Sequence, residues 1–136
     1  MKVVLDTNVL IRIILSDSVN YDVWRRLFLQ EYSICYTTEI LLEYEEILSR
    51  LYSKDTANAV VDLILSLPNA ERINVYYKLN LLGNDVDDNK FSDCAFAASA
   101  TYIVSDDKHF NELKRVDFPK IEVVNLMAFR KLLQKS

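Results

Sequence analysis

Short apolar runs alternate with longer amphipathic segments along this chain of 136 residues. The runs lack polar alternation, which is typical of strands that helices cover on both faces. They predict strands at Lys2–Leu5, Ser33–Tyr36, Tyr102–Ser105 and Ile121–Val124, and a weak strand or extended segment at Ile73–Tyr77. The amphipathic segments predict helices at about Val9–Leu15, Tyr21–Gln30, Glu39–Leu51, Lys54–Leu67 and Leu126–Leu133, and an alanine-rich helix that contains Asp93.

The order of these elements predicts the fold class. Strands that alternate with helices from end to end are expected to run parallel and to be joined by right-handed crossovers. The result is an α/β fold, a three-layer α/β/α sandwich around a central, mostly parallel sheet. The length suits a single domain, residues 1–136, and we expect no second domain.

Composition and charge narrow the class of protein. Hydrophobic residues make up 51% of the chain, with one Gly and two Pro, as in a helix-rich globular protein. No apolar run approaches the roughly 18 residues of a membrane span, and the N-terminus lacks a signal-like stretch. We therefore expect a cytoplasmic protein without a membrane partner. The net charge of −4 argues against strong unspecific attraction to nucleic acid, but it does not exclude a nucleic-acid substrate if cations bind among the acids.

The chain offers few ligands for a soft metal ion. Cys35 and Cys94 are too few for a disulfide framework and lie in no zinc-binding motif, so we expect both to be small buried residues. His109 is the only histidine, and we expect it at the surface.

Carboxylates follow two of the predicted strands. Asp6 comes directly after the first strand, and Asp107 lies two residues after Ser105, at the end of a later one. Open parallel sheets bind ligands in the crevice at the carboxyl ends of their strands. The alternative is that Asp6 and Asp107 are only helix caps, although Thr7 or Asn8 can also cap the helix predicted from Val9.

Further acids lie on or near predicted helices. Glu43 lies at the margin of the apolar stripe of its helix, and Asp93 lies inside the alanine-rich helix although Asp is a poor helix former. The alternative is that each is a solvated surface residue. Asp87 and Asp88 follow a polar loop after Gly83, where they suit roles as caps or partners of the helix dipole.

The acids at strand ends and on helices are all candidates for one side of one sheet. Three or four carboxylates that lie close together cannot all be ionised without cations. Mg²⁺ or Mn²⁺ is the expected partner, because these hard ions prefer oxygen ligands.

Four motifs stand in a particular order along the chain. They are Val-Leu-Asp6-Thr7-Asn8-Val-Leu, Glu43 after the second strand, Asp93-Cys-Ala-Phe-Ala-Ala-Ser-Ala, and Ile-Val-Ser105-Asp-Asp107-Lys-His-Phe110. Together they resemble the PIN-domain ribonucleases, and most of all the toxin components of prokaryotic toxin–antitoxin pairs related to VapC. The resemblance covers nearly the whole chain and implies a PIN-like fold.

The resemblance also implies a metal-dependent endoribonuclease that uses Mg²⁺ or Mn²⁺. Its catalytic acids and metal ligands would be Asp6, Glu43, Asp93 and Asp107, with Thr7, Asn8 and Ser105 as polar support. Asp107 rather than Asp106 matches the family pattern of a hydroxyl residue, any residue and Asp. The run from Asp87 to Phe91 resembles a branch of the family in which such a run precedes the active helix, which makes Asp88 a further candidate metal ligand.

A nuclease of this kind implies a substrate and partners. Single-stranded RNA is the expected substrate, because an unpaired strand can be splayed into a concave acidic pocket. Candidate phosphate contacts are Arg12, Lys108, Arg25, Arg26 and Arg50. The toxin resemblance further implies a cognate antitoxin protein and a homodimer.

Two other functions stay open at this point. The first is a catalytically silent PIN-like scaffold that binds a partner protein, because its acids would look the same. The second is an α/β phosphatase with Asp6 as nucleophile. Enzymes that resemble haloacid dehalogenases need a second Asp two residues further on, where this chain has Asn8.

Overall fold

Five parallel strands form one sheet in the computed structural model, which describes residues 1–82, 86–117 and 119–135, without the side chains of residues 86 and 87. The strands are β1 (Lys2–Leu5), β2 (Ser33–Tyr36), β3 (Ala70–Arg72), β4 (Tyr102–Val104) and β5 (Val123–Val124). Their order in the sheet is β3-β2-β1-β4-β5, and every neighbouring pair is parallel. The predicted α/β fold with a central parallel sheet is confirmed.

The chain builds the sheet outward from β1 in two directions. It first passes to β2 and β3 on one side, and then crosses to β4 and β5 on the other. Right-handed crossovers in opposite directions place their helices on opposite faces of a sheet. The connections that leave β1 and β4 therefore diverge, which opens a crevice between the carboxyl ends of these two central strands.

Helices cover the sheet. They are α1 (Thr7–Ile13), α2 (Tyr21–Phe28), α3 (Thr38–Leu51), α4 (Lys54–Ser66), α5 (Val86–Ala98) and α6 (Leu126–Gln134), with a 3₁₀ helix at Lys108–Arg115. Side-chain oxygens of Thr37, Ser53 and Asn125 accept backbone N–H groups at the starts of α3, α4 and α6. These caps satisfy amides that the helices themselves leave without a partner, and they explain why the three helices begin where they do.

The hydrophobic core is centred on β1, the strand that precedes Asp6. Val3, Val4 and Leu5 of β1 are at most 1% exposed, because helices pack on both faces of this central strand. Cys35 and Cys94 are buried and free, as predicted. Within the described ranges, none of the helices has both the length and the apolar character required to cross a lipid bilayer.

Two local predictions were wrong. The third strand is Ala70–Arg72 rather than Ile73–Tyr77, and the ladder ends where the Ile73 amide donates to the Tyr36 carbonyl at 2.7 Å. The first helix begins at Thr7 instead of Val9, so neither Thr7 nor Asn8 caps it. The predicted polar loop after Gly83 and the predicted capping role of Asp87 fall outside the described residues and side chains.

A buried hydrogen bond ties α3 to the central strand. The Tyr44 hydroxyl donates to the Leu5 carbonyl at 2.5 Å, and the Tyr44 side chain is fully buried. Because Leu5 precedes Asp6 and Tyr44 follows Glu43, this bond fixes the relative positions of two acidic residues from distant parts of the chain.

We expect Tyr44→Phe to lower the free energy of unfolding by about 1–2 kcal/mol, because the buried Leu5 carbonyl loses its hydroxyl donor. Urea unfolding followed by circular dichroism measures the change. Tyr77→Phe is the matched control, since the same atom is removed from a residue that is 80% exposed. The control should differ from wild type by less than about 0.5 kcal/mol. Equal stabilities of the two variants would contradict a stabilising role for the buried bond.

Candidate acidic site at the carboxyl ends of the central strands

Asp6 lies in the crevice between β1 and β4. Its backbone links the strands to α1, because the Asp6 amide donates to Val104 and its carbonyl accepts from Val9 and Leu10. Asp6 occupies the N-cap position of α1, as the alternative prediction had it, but its side chain makes no capping hydrogen bond to the first turn. The Ser105 hydroxyl instead donates to Asp6 Oδ2 at 2.8 Å, and the residue is 5% exposed.

The surroundings of Asp6 disfavour its negative charge. Burial raises the pKa of its carboxyl, and the hydrogen bond from Ser105 offsets this in part. The carboxylates of Asp107 and Glu43 lie close enough to raise the pKa of Asp6 further. Asp6 is therefore a buried acid with like charges beside it, which a cation would stabilise in its ionised form.

The two aspartates after β4 have different partners. The Asp107 amide donates to Ser105 Oγ at 3.0 Å, and Asp107 Oδ1 accepts the His109 amide at 2.9 Å, so Asp107 caps the 3₁₀ helix. Asp106 Oδ1 accepts the Leu126 amide at 3.1 Å, and its other oxygen forms an ion pair with Arg12. Asp107 therefore belongs to the crevice with Asp6, whereas Asp106 joins the 3₁₀ region to α6 and α1.

Asp88, in the first turn of α5, lies against Asp107 and His109. Asp88 Oδ2 is 3.4 Å from His109 Nδ1, and Asp107 Oδ1 is also 3.4 Å from that nitrogen. One possible ligand atom from each of the three residues lies within 4.8 Å of the others. Among the described residues, these three side chains form a group that could hold a metal ion.

Glu43 reaches the same end of the sheet from α3. The Thr7 hydroxyl donates to Glu43 Oε2, and Lys90 Nζ lies 2.7 Å from Glu43 Oε1. The Glu43 side chain is 26% exposed and the Lys90 side chain 15%, so the pair is only partly screened by water. Both oxygens of Glu43 thus have partners, which holds the carboxylate near the crevice.

Asp93 has a different environment from the other predicted acids. Its Oδ1 accepts the Leu79 amide at 3.0 Å, and burial raises the pKa of its carboxyl. The charges that act on it are those of Lys78 and Glu39, in contrast to Asp6, which senses Asp107 and Glu43. Asp93 lines a groove together with Glu43, but the contacts in the described part of the chain do not bring it to Asp6, Asp88 or Asp107.

The remaining predicted residues have other partners or are exposed. Asn8 is exposed in the first turn of α1 and makes no side-chain hydrogen bond among the described residues. Arg12 is exposed and engaged with Asp106, and Lys108 is exposed directly after Asp107. Arg25 and Arg26 form ion pairs with Asp22, and Arg50 pairs with Glu46.

The sequence patterns did not assign three of the residues found at this site to it. Lys90 pairs with Glu43, and His109 lies at the surface as expected but against two acids. Asn89 accepts the Leu82 amide at 2.8 Å and donates to its carbonyl, which anchors the first turn of α5. A basic residue two positions after Asp88 and a histidine two positions after Asp107 were the available signals.

We expect the pH dependence of stability to report the buried carboxyl of Asp6. Because its pKa is raised in the folded protein, the folded state binds the proton more tightly, and the free energy of unfolding falls as the pH rises from 3.8 through the raised value. Asp6→Asn keeps an acceptor for Ser105 and removes the charge. In buffer without divalent metal ions, the melting temperature of the variant should exceed that of wild type at pH 7, and the difference should shrink towards pH 4.

Calorimetry in the presence of a chelator measures both melting temperatures. Asp62→Asn, which changes an exposed aspartate of α4, is the control and should follow wild type at every pH. If Asp6→Asn melts below wild type at pH 7, the charge of Asp6 is not a source of destabilisation.

Two solved structures share this fold over most of the chain. A chain in the crystal structure of VapBC2 from Rickettsia felis bound to a promoter DNA fragment is 21% identical to this chain, with a TM-score of 0.63. The alignment covers 92% of this chain and 98% of that chain. A chain in the crystal structure of DNA-bound VapBC from Salmonella typhimurium is 17% identical, with a TM-score of 0.61. That alignment covers 93% of this chain and 98% of the other chain. At these identities the likeness shows the fold.

A comparison with curated protein sequences finds no significant match. In contrast, a family model described as the PIN domain matches residues 2–109. The matched range includes Asp6, Glu43, Asp88 and Asp107, and it confirms the resemblance found in the sequence. The chain therefore belongs to the PIN-domain family.

Proposed function

We propose that the protein is a metal-dependent endoribonuclease that hydrolyses phosphodiester bonds in single-stranded RNA, and that it is the toxin of a toxin–antitoxin pair. PIN-domain proteins are typically nucleases, which gives the general class. The observation that carries the finer proposal is the convergence of carboxylates from β1, α3, α5 and the loop after β4 on one end of the sheet.

The proposed ligands of a divalent ion are Asp6, Glu43, Asp88 and Asp107. Their oxygen atoms suit Mg²⁺ or Mn²⁺, and the buried charge of Asp6 beside other acids supports binding of a cation. Such an ion would lower the pKa of a bound water and offset charge on the scissile phosphate. The chain itself holds the acids in position through Ser105, Thr7 and Lys90.

We place Asp88 rather than Asp93 among these ligands. Both lie on α5, and a separation of five residues turns the side chain by about 140° around a helix. Asp88 lies against Asp107, whereas Asp93 binds the Leu79 amide. The geometry therefore supports Asp88 as the acid that α5 contributes to the metal site, and Asp93 as part of the neighbouring groove.

We propose that a groove beside Glu43 contacts RNA through its basic side chains. Its volume is about 590 Å³, and it is lined by Arg50, Lys78 and Lys90 as well as by the acids Glu39, Glu43, Glu46 and Asp93. Basic side chains attract phosphates, and the volume lies in the usual range for ligand pockets. Exposed Lys108, directly after Asp107, and Arg12 are proposed as further phosphate contacts.

The proposed protein partner is a cognate antitoxin. The two structural neighbours come from VapBC complexes, and the fold likeness supports an assembly of the same kind. The α3–α4 region also exposes large apolar side chains, a feature of surfaces that bind other proteins or a second copy of the chain. These are Leu42, Leu51, Tyr52, Leu63 and Leu65.

We expect purified wild type to cleave a single-stranded RNA only when Mn²⁺ or Mg²⁺ is added. Asp88→Asn should lower the cleavage rate at least about a hundredfold, because a carboxylate ligand of the ion is lost. Asp93→Asn is the matched control on the same helix and should retain most of the activity, since its amide oxygen can still accept from Leu79. A gel assay with end-labelled RNA measures the rates.

The opposite ranking of these two variants would restore Asp93 as the metal ligand of α5. Cleavage that continues in a chelator would contradict metal dependence. A wild type that folds, binds the metal ion and cleaves no RNA would contradict the nuclease and favour a binding scaffold.

We expect cells that express this protein alone to stop growing, because uncontrolled RNA cleavage depletes their transcripts. Co-expression of the adjacent reading frame should restore growth, since the proposed antitoxin would bind the toxin. Asp6→Asn, produced at the same level, is the control and should permit growth without that partner. Colony counts after induction measure the effect. Unimpeded growth with wild type alone would contradict the toxin role.

A further inference from the structure

His109 brings an imidazole nitrogen close to two carboxylates of the candidate site. It is the only histidine of the chain. Its Nδ1 lies 3.4 Å from Asp88 Oδ2 and 3.4 Å from Asp107 Oδ1. The ring nitrogen is thus equally distant from two of the acids to which the proposed function assigns an ion.

The three groups lie close enough together to bind one ion, since one possible ligand atom from each lies within 4.8 Å of the others. The distance of 3.4 Å to both oxygens is longer than the 2.7–3.2 Å of an ordinary hydrogen bond. Around a small divalent ion with bonds of about 2.1 Å, neighbouring ligand atoms lie about 3 Å apart and opposite ones about 4 Å. The observed spacing of 3.4 Å lies between these two values, so small shifts of the side chains would bring all three ligand atoms to one ion.

The fold holds His109 where it can act as a ligand. Its backbone amide donates to Asp107 Oδ1, which holds the His109 backbone next to the Asp107 carboxylate. Phe110, the next residue, is buried and packs edge-to-face on Phe91 of α5 at 6.2 Å. This contact fixes the 3₁₀ helix against the helix that carries Asp88. The imidazole itself is 63% exposed, so it can turn towards an ion without disturbing the core.

We propose that His109 is a nitrogen ligand of the metal ion and that it makes the site select Mn²⁺ or another first-row transition ion over Mg²⁺. The inference rests on the metal site of the proposed function. Imidazole nitrogen is a good ligand for transition ions, whereas Mg²⁺ binds oxygen and keeps much of its water. A site with three or four carboxylates alone would lack this preference.

The test compares metal binding by wild type, His109→Ala and Glu112→Gln, all purified without a histidine tag. Glu112 is an exposed residue of the same 3₁₀ helix and serves as the matched control. Titration calorimetry with Mn²⁺ and with Mg²⁺ gives the selectivity. We expect His109→Ala to weaken Mn²⁺ binding about tenfold or more and Mg²⁺ binding less than about twofold.

Pulsed electron paramagnetic resonance of bound Mn²⁺ provides a readout that does not depend on activity. Because His109 is the only histidine, imidazole nitrogen coupling in wild type can come from no other residue, and it should vanish in His109→Ala but persist in Glu112→Gln. Wild type that binds Mn²⁺ without nitrogen coupling, or His109→Ala with unchanged selectivity, would overturn the role of His109 and leave the nuclease proposal standing. Wild type that binds neither ion would overturn the metal site and, with it, both proposals.

Discussion

The burial of one carboxylate between two parallel strands shapes the whole site. Asp6 follows the buried residues Val3, Val4 and Leu5 of β1 and lies beside β4, where water is largely excluded. Hydrogen bonds from the Ser105 hydroxyl and the Thr7 backbone compensate only part of the cost of that charge, and neighbouring acids add to it. Because β1 and β4 send their chains to opposite faces of the sheet, the Asp6 carboxylate lies at the switch point of the sheet, which is where open α/β sheets bind their ligands.

The contacts that stabilise the fold also position the acids. Asp107 caps the 3₁₀ helix, and Ser105 accepts the Asp107 amide while it donates to Asp6. Tyr44 anchors α3 to β1 next to Glu43. Side chains with such partners lose little further entropy when an ion or substrate binds, which favours a site assembled before binding. This double use explains why a capping role and a functional role for Asp107 do not exclude each other.

Local patterns in the sequence predict most of the strands and helices, but they do not predict which face of a helix packs against which neighbour. The buried strands β1 and β2 match their predicted bounds, because burial on both faces leaves an apolar run. The edge strand β3 contains Glu71 and Arg72 and has no such run, so the apolar residues after it were chosen wrongly. The choice between Asp88 and Asp93 depends on which face of α5 meets the 3₁₀ helix, and that is a tertiary property.

Acids and bases lie side by side on this protein, so its net charge of −4 says little about any one region. The groove beside Glu43 is lined by Arg50, Lys78 and Lys90 and also by Glu39, Glu43, Glu46 and Asp93. Two of these bases have acidic partners, since Lys90 pairs with Glu43 and Arg50 pairs with Glu46. Salt screens exposed charges beyond about 8–10 Å, so a phosphate in this groove would sense mainly its immediate neighbours. The attraction of a polyanion to the groove would therefore be local and would weaken as salt rises.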